Sequence, residues 1–367
     1  MRIAIGTDIY LPQLSGVADS ISLTKAELEK RGHQVLVYGP TSARSFSVPG
    51  WDDSMMLALP FGIVKQLRKF KPDIIHVHTF APIGLAALYA GWRLGVPVVG
   101  TNHTFPADYL RFFGLDYAPL RYFLRRTNAW FYNRCAYLTA PSQKIIAEMR
   151  AYHCSRPAIV LSNPIPLDLF RPLVDRQKLK AKYNLGEKVV LLFGRLGPDK
   201  NLDFALEIFA EVHQRTGAEL LIVGDGPSRT HLEILVQKLK LASSVRFAGL
   251  LRGESLVEAI NAAEIYLITS TESQSMTNLQ AMACGLSAVG PAVGGLPEYL
   301  KNGENGFLVP PTDQPAFVWA VVDLLGDQEK RARFGQAART SVIPFSVETI
   351  VDRIEKIYES QLSHSGL

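Results

Sequence analysis

Two cations and two hydroxyl-binding side chains are the residues through which this sequence could do chemistry. Glu272 and Gln280 lie on Thr271-Glu272-Ser273-Gln274-Ser275-Met276-Thr277-Asn278-Leu279-Gln280, about two helical turns apart. An apolar β-rich run, 265–269, feeds into this stretch, and a good helix former follows it. A strand that ends in a short polar loop and hands over to a helix leaves unpaired N–H groups at the helix start. Those groups and the positive end of the helix dipole make an anion site. Glu272, at the loop mouth, can reach a ligand's hydroxyls near the anion, and Gln280 can reach hydroxyls farther along. An anion flanked in this way suggests a sugar nucleotide. Alone, the stretch reads better as an ordinary strand–loop–helix with surface polar residues. A second loop changes the balance. In Gly194-Arg195-Leu196-Gly197-Pro198-Asp199-Lys200, two cations on a Gly/Pro-shaped turn can converge on a diphosphate. Arg195 would offer a planar fork and Lys200 a point charge.

The elements that must position these groups alternate. In the first half, strands are expected at 3–6, 35–38, 73–78, 96–100 and 137–140, with helices at 17–31, 63–70 and 83–94. The proline-rich segment 161–172 lacks a helical period and serves as the linker. Beyond it, strands at 188–193, 219–223, 245–248, 265–269, 287–290 and 306–309 alternate with helices at 201–216, 228–241, 315–325 and 347–361. Such alternation predicts an α/β chain of two doubly wound parallel sheets with helices on both faces. The expected domains are 1–165, joined by a helix at about 345–367 that crosses back, and 166–344. Ligands of such sheets sit at the carboxyl ends of strands.

With 367 residues, 47% apolar and 20% charged, the chain is long enough for two soluble cores. A net charge of +5 fits an anionic substrate or membrane surface and is too small to imply nucleic acid. Three cysteines, Cys135, Cys154 and Cys284, have no metal-ligand spacing and suit a reducing compartment. The amino terminus reads as a strand rather than a signal peptide, and no run is long and apolar enough to span a bilayer. There is no P-loop and no third glycine after Gly224-Asp225-Gly226. No Asp-x-Asp is present to hold a metal on a sugar nucleotide. His76 and His78 alternate on one strand and are expected to point to opposite faces, which argues against a shared metal.

Together these segments resemble the retaining glycosyltransferases of the GT-B fold in family 4, group 1. The likeness is carried by Gly194-Arg195 with Lys200, Val223-Gly224-Asp225-Gly226-Pro227, Ser270-Thr271-Glu272 running into Gln280-Ala281-Met282-Ala283, Gly294-Gly295-Leu296-Pro297-Glu298 and Asn302-Gly303-Glu304-Asn305-Gly306. More loosely, it extends to Gln13-Leu14-Ser15-Gly16-Val17, 72–78 and His103-Thr104. The pattern is nearest to diacylglycerol glucosyltransferases and phosphatidylinositol mannosyltransferases. The resemblance implies two Rossmann-like domains facing a central cleft. Arg195 and Lys200 would hold a donor diphosphate, Glu272 the donor sugar, the amides of Met276 and Thr277 its phosphates, and position 280 the ribose. Gly16, Gly224 and Ser275 would line the donor. His103 would stand near the transferred sugar and acceptor. The resemblance also implies retention of anomeric configuration without a metal or other cofactor. Family members usually carry Glu at position 280 and Gly at position 275, so Gln280 and Ser275 leave the donor's identity open.

The acceptor side is read from 105–134, which is dense in aromatic residues and arginine. On a helical wheel, Leu120, Phe123, Leu124, Trp130 and Phe131 share a broad face with Arg121 and Arg125 beside it. That is what an interfacial helix shows anionic lipid; such a stripe more commonly packs on its own sheet. With Tyr109, Phe112 and Phe113, the segment resembles the acceptor side of lipid glucosyltransferases. A UDP-glucose-like donor and a lipid acceptor such as diacylglycerol are therefore expected. The expected location is the cytoplasm, peripheral on the inner face of the membrane, with no nucleic-acid partner. A soluble acceptor, a GT-B epimerase and a non-catalytic nucleotide- or lipid-binding relative remain as alternatives.

Overall fold

A computed structural model of the chain describes residues 1–11, 13, 15–47, 56–105, 107, 110 and 114–365. The chain forms two compact units, Met1–Pro164 with Val347–Leu367, and Ile165–Ser346.

Unit 1 runs β1 (Arg2–Gly6), α1 (Gly16–Lys30), β2 (Gln34–Tyr38), β3 (Arg44–Ser47), β4 (Met56–Leu59), α2 (Ile63–Phe70), β5 (Ile74–Val77), α3 (Pro82–Leu94), β6 (Val98–Thr101), α4 (Ala118–Tyr132), β7 (Tyr137–Ala140), α5 (Gln143–Ala151) and β8 (Ala158–Val160). Its parallel sheet has the order β2-β1-β5-β6-β7-β8, and β3 and β4 form a separate antiparallel pair. Helices α2, α3 and α4 share one buried cluster on one face, through Ile63, Leu67, Ile83, Ala87, Ala129 and Phe131.

Unit 2 continues with α6 (Arg176–Lys182), β9 (Val189–Phe193), α7 (Leu202–Thr216), β10 (Glu219–Val223), α8 (Arg229–Lys238), β11 (Val245–Gly249), α9 (Gly253–Asn261), β12 (Ile265–Leu267), α10 (Met276–Ala283), β13 (Ser287–Pro291), β14 (Gly306–Val309), α11 (Gln314–Gly326) and α12 (Gln328–Val342). The chain then returns to unit 1 as α13 (Val347–Ser365), which packs on α1.

The unit 2 sheet is parallel in the order β11-β10-β9-β12-β13-β14. Val189, Val190, Leu191 and Leu192 are all buried, as a central strand covered on both faces requires. From β9 the chain winds one way to β10 and β11, and from β12 it winds the other way. The loops that follow β9 and β12 therefore part at the carboxyl edge and leave a crevice there. Unit 1 reverses in the same way between β1 and β5.

Helix α12 falls outside the expected elements. Its sequence is mostly polar, with a short apolar stripe of Phe334, Ala338 and Val342 that is buried, and it crosses behind α10. A Cβ at Gly335 would stand 2.2 Å from the Gly285 carbonyl oxygen, so the crossing depends on the missing side chain.

Candidate active site

The crevice in unit 2 is built by the loops after β9 and β12. Lys200 closes a 3-10 turn, Pro198–Lys200, that follows Gly194-Arg195. Its ammonium lies 2.7 Å from Glu272 Oε1 and 3.5 Å from Asp199 Oδ2. Asp199 also accepts from Arg195 Nη2 at 2.5 Å. Two cations and two carboxylates thus alternate in the order Arg195, Asp199, Lys200, Glu272. Burial disfavours the Lys200 ammonium, but Glu272 and Asp199 outweigh it and hold the pKa above the ordinary lysine value. Lys200 is therefore a permanent cation at neutral pH.

The backbone around these groups is fixed from several sides. Thr269 Oγ1 donates to the Lys200 carbonyl at 3.0 Å, and Ser270 Oγ donates to Glu272 Oε1 at 2.9 Å. The Gly295 amide donates to the Glu272 carbonyl at 2.8 Å. Gly294, at φ +72°, leaves no room for a side chain, since its Cβ would stand 2.5 Å from that same carbonyl oxygen. Gly224 performs a similar service for the other loop. At φ +134°, a Cβ there would lie 1.9 Å from the Gly194 carbonyl oxygen. The two loops are then stitched by Gly194 N–H to Val223 O, Leu196 N–H to Asp225 O and Ser228 N–H to Leu196 O. Gly224 is thus placed to let backbone meet backbone.

Helix α10 begins beside this pair of loops. Ser275 is its N-cap, with extended backbone, but the hydroxyl makes no capping bond. It meets Thr277 Oγ1 at 2.7 Å instead. The first-turn amides, those of Met276 and Thr277 among them, are left without a side-chain cap, and the helix dipole adds positive potential there. Tyr266 holds this turn through Thr277 Oγ1 and Asn278 Oδ1, both at 3.1 Å, while Asn278 Nδ2 donates to the Tyr299 hydroxyl at 2.8 Å. Burial pushes both phenols well above their ordinary pKa, so they stay protonated; Tyr266 donates to Asn278 Oδ1, and Tyr299 accepts from Asn278 Nδ2. Gln280 is half-buried farther along α10.

In unit 1 the loops after β5 and β6 carry a second polar cluster. His78 Nδ1 and His103 Nε2 are 3.1 Å apart. His76 Nδ1 meets the Tyr358 hydroxyl of α13 at 2.7 Å, and its Nε2 meets Thr101 Oγ1 at 2.7 Å. The His76 and His78 rings lie 4.2 Å apart. The expectation that they point to opposite faces is wrong, because residues two apart along a strand share a face. Burial pushes His103 down to about 4. Burial, helped by His103, pushes His76 to about 3, and burial depresses His78 well below the ordinary value. All three are neutral at pH 7. Among the described residues, no group of three or more His, Cys, Asp or Glu could hold a metal ion.

The remaining residues of unit 1 fall out differently. Gly16 opens α1, where the Ser15 hydroxyl already caps the Ala18 amide at 3.1 Å. Asp8 fills the amino terminus of α3, accepting from Ile83 and Gly84 amides at 3.0 and 3.2 Å. Tyr109, Phe112 and Phe113 lie outside the described residues. On α4 the expected broad apolar face divides. Phe131 is fully buried, while Phe123 and Trp130 point outward, because successive helix positions turn by about 100° and only 123 and 130 share a direction. Arg121 is exposed beside Asp116, at 3.3 Å. Arg125 is not beside it in solvent. It is half-buried, packs over the Tyr152 and Phe105 rings and donates to the Tyr152 hydroxyl at 3.2 Å. A helical wheel contains no information about the carboxyl cap of α5, Tyr152, which supplies that ring.

Residues 175–341 match the description "Glycosyl transferases group 1" and residues 14–169 match "Glycosyltransferase Family 4". An alpha-monoglucosyldiacylglycerol synthase of Streptococcus pneumoniae is 30% identical over 79% of this chain and 70% of its own length. The chain belongs to this glycosyltransferase family. A GDP-mannose-dependent alpha-mannosyltransferase of Mycolicibacterium smegmatis is 28% identical over 100% of this chain and 99% of that protein. In fold, the glycosyltransferase resembles sucrose-phosphate synthase from Thermosynechococcus elongatus (TM-score 0.79, 20% identity, 99% and 100% of the two chains). It equally resembles Anabaena HepE solved with UDP (TM-score 0.79, 20% identity, 98% and 100% of the two chains). Both units have the GT-B pattern of parallel, doubly wound sheets.

Sequence reasoning missed Asp199, Tyr266, Asn278, Tyr299 and Tyr358 in this glycosyltransferase. Asp199 sits inside the basic loop and could have been found as the carboxylate that keeps Arg195 and Lys200 apart. The other four meet their partners across distant stretches of chain and leave no local signal.

Proposed function

We propose that the chain is a retaining hexosyltransferase that moves a sugar from a nucleotide diphosphate, UDP-glucose-like, to a hydroxyl of a lipid acceptor such as diacylglycerol. The observation that carries this reading is the convergence of Arg195, Lys200 and the uncapped α10 amides on the unit 2 crevice. Cations and amides there would meet the charge of a departing diphosphate, a term usually large in group transfer. Glu272 would hold the sugar hydroxyls, exchanging its contacts with Lys200 and Ser270 for ligand, and Gln280 would hold the ribose. In the transfer, the bond from the sugar C1 to the diphosphate oxygen breaks. A bond from C1 to the acceptor oxygen forms on the same face, and the acceptor proton goes to the leaving phosphate. No resident metal is assigned a part. His103, neutral and oriented by His78, is assigned to the acceptor as a hydrogen-bonding group rather than a cation. The lipid acceptor draws support from the diacylglycerol named in the pneumococcal relative, and with it comes a peripheral position on the inner membrane face.

A second reading, mannosyl transfer from GDP-mannose, is supported by the mycobacterial relative that matches end to end. A radiolabelled-donor assay with UDP-glucose and GDP-mannose, diacylglycerol and soluble acceptors separates the two. Lys200→Ala and Glu272→Ala are expected to remain folded and lose transfer. Turnover like the parent by either variant would sink the site assignment.

A further inference from the structure

Helix α4 turns two different sides to its surroundings. Phe123 and Trp130 point outward, whereas Asn128 and Tyr132 are buried and Arg125 is half-buried. These last three recur at intervals of three and four, which places them on one stripe of the helix. The inner stripe of a helix is ordinarily apolar, so three polar side chains there need a reason.

Each of them meets the segment that carries His103. The Tyr132 hydroxyl donates to the Thr101 carbonyl at 3.0 Å. Asn128 Oδ1 accepts from Asn102 Nδ2 at 3.3 Å. The Arg125 guanidinium lies 5.5 Å from the centre of the Phe105 ring. These contacts fall on 101, 102 and 105, so they hold the chain on both sides of His103. The hold of the sheet gives out at the same point. The β6–β7 register closes with Thr101 opposite Thr139, and the Asn102 amide donates to Thr139 O at 3.0 Å just beyond it. His103 follows at the start of the loop. His78 Nδ1, 3.1 Å from His103 Nε2, fixes one ring nitrogen but leaves the backbone to other groups.

The amide pair is costly in itself. Asn102 and Asn128 are each 1% exposed. Their mutual bond leaves Asn102 Oδ1 and Asn128 Nδ2 without a partner among the described residues. Unpaired polar atoms in an interior destabilise a fold, and two apolar side chains of the same shape would serve stability as well or better. The amides supply direction instead: a hydrogen bond fixes where residue 102 lies along α4, which an apolar contact does not. We infer that α4 is the mounting of His103, with Asn128 and Tyr132 as positioning residues that act through its imidazole. The inference rests on the reading that His103 serves the acceptor. A misplacement of about 1 Å can cost on the order of a hundredfold in rate. A small slip of 101–105 along α4 would therefore be felt in transfer and not in UDP binding, which is assigned to the unit 2 crevice.

Two variants of the full-length protein test it, N102L/N128L and Y132F. With saturating donor, each should lose about tenfold to a hundredfold in transfer, as a fall in kcat with unchanged UDP affinity. N102L/N128L should melt no lower than the parent, since it removes the unpaired polar atoms. In an H103A background neither change should cost anything further, an outcome that a merely structural role would not give. Transfer like the parent in either variant, equal losses with and without His103, or UDP affinity that falls in step with transfer would each overturn the inference. So would a large drop in the melting temperature of N102L/N128L, which would show that the amides serve stability. Histidine NMR without donor adds a readout independent of turnover. The ring nitrogen signals of His103 should move in N102L/N128L while those of His33 and His213 stay. Unmoved His103 signals would overturn the inference whatever the activity. An H103A variant that transfers like the parent would instead remove the acceptor reading of His103 and leave the mounting to be decided by the NMR result.

Discussion

Three neutral histidines buried in one cluster make unit 1 sensitive to acid. The perturbation is a fall in pH from 7.5 to 5. In the unfolded chain each histidine titrates near pH 6.5, whereas in the folded state His103 is held near 4 and His76 near 3. Between those limits the unfolded state binds more protons, so stability rises with pH and is lost on acidification. At pH 5 an unfolded histidine is almost fully protonated and the folded one is not, which costs about 2 kcal/mol per residue relative to pH 7.5. His76 and His103 together stand to lose roughly 4 kcal/mol, a large share of an ordinary domain's total stability, and His78 shifts in the same direction. Among the described groups bonded to the cluster are Tyr358, Thr101 and Thr139, none of which titrates in this range. Glu27 and Glu355, whose pKa values are lowered, act only below the usual carboxylate range. Urea unfolding followed by tryptophan fluorescence at several pH values measures the effect, with Trp92 and Trp130 reporting unit 1. The H103Q variant should show a shallower slope between pH 5 and 6.5, by up to about 1.4 kcal/mol per pH unit. A midpoint that does not move between pH 7.5 and 5, or an unchanged slope in H103Q, would refute the assignment of buried neutral imidazoles.

Three more expectations concern the crevice and its supports. Lys200→Ala should weaken UDP binding roughly tenfold to a hundredfold, and adding Glu272→Gln should restore part of the loss by removing a stranded carboxylate; strictly additive single effects in calorimetry would contradict the paired geometry. Gly224→Ala should cost about 3 kcal/mol or more, since it combines a positive φ with a backbone clash, and a melting temperature within a degree of the parent would show that the loops are not stitched there. Tyr358→Phe leaves a buried imidazole nitrogen without its partner, at a cost of about 1–3 kcal/mol, and unchanged urea unfolding would show that the His76–Tyr358 bond does not matter.

How much could be read in advance depended on how local each feature is. The switch point in unit 2 was legible because strand, polar loop and helix follow one another in sequence, and Glu272 and Lys200 both fall in such loops. The buried strand 189–193 announced itself by an unbroken apolar run. What failed was orientation. Arg121 and Arg125 look alike on a wheel, but only the packing of α5 decides that Arg125 lies over Tyr152 while Arg121 faces water. His76 and His78 were misplaced by an error of strand geometry. Helix α12 shows only the short stripe Phe334, Ala338 and Val342 in an otherwise polar sequence, and its contact with α10 also depends on Gly335, an absent side chain that no hydrophobic pattern records. The Tyr266–Asn278–Tyr299 chain joins a strand, a helix and a 3-10 turn, and each member alone is an ordinary polar residue in an apolar setting.

The position of α13 has a consequence for biogenesis. Ile350, Val351, Ile354 and Tyr358 bury themselves against Ile3, Ile5, Ile21 and Leu28, so β1 is covered by a helix made more than one unit later. Residues 165–346 are complete before that cover exists. At ordinary translation speeds of about 5–20 residues per second, one side of the nascent amino-terminal sheet stays bare for on the order of 10–40 s. The later-born unit should therefore mature first, while its predecessor depends on protection from aggregation. A chain truncated after Ser346 tests this hypothesis: protease should degrade its amino-terminal portion and spare 165–346, and equal resistance of both halves would count against it.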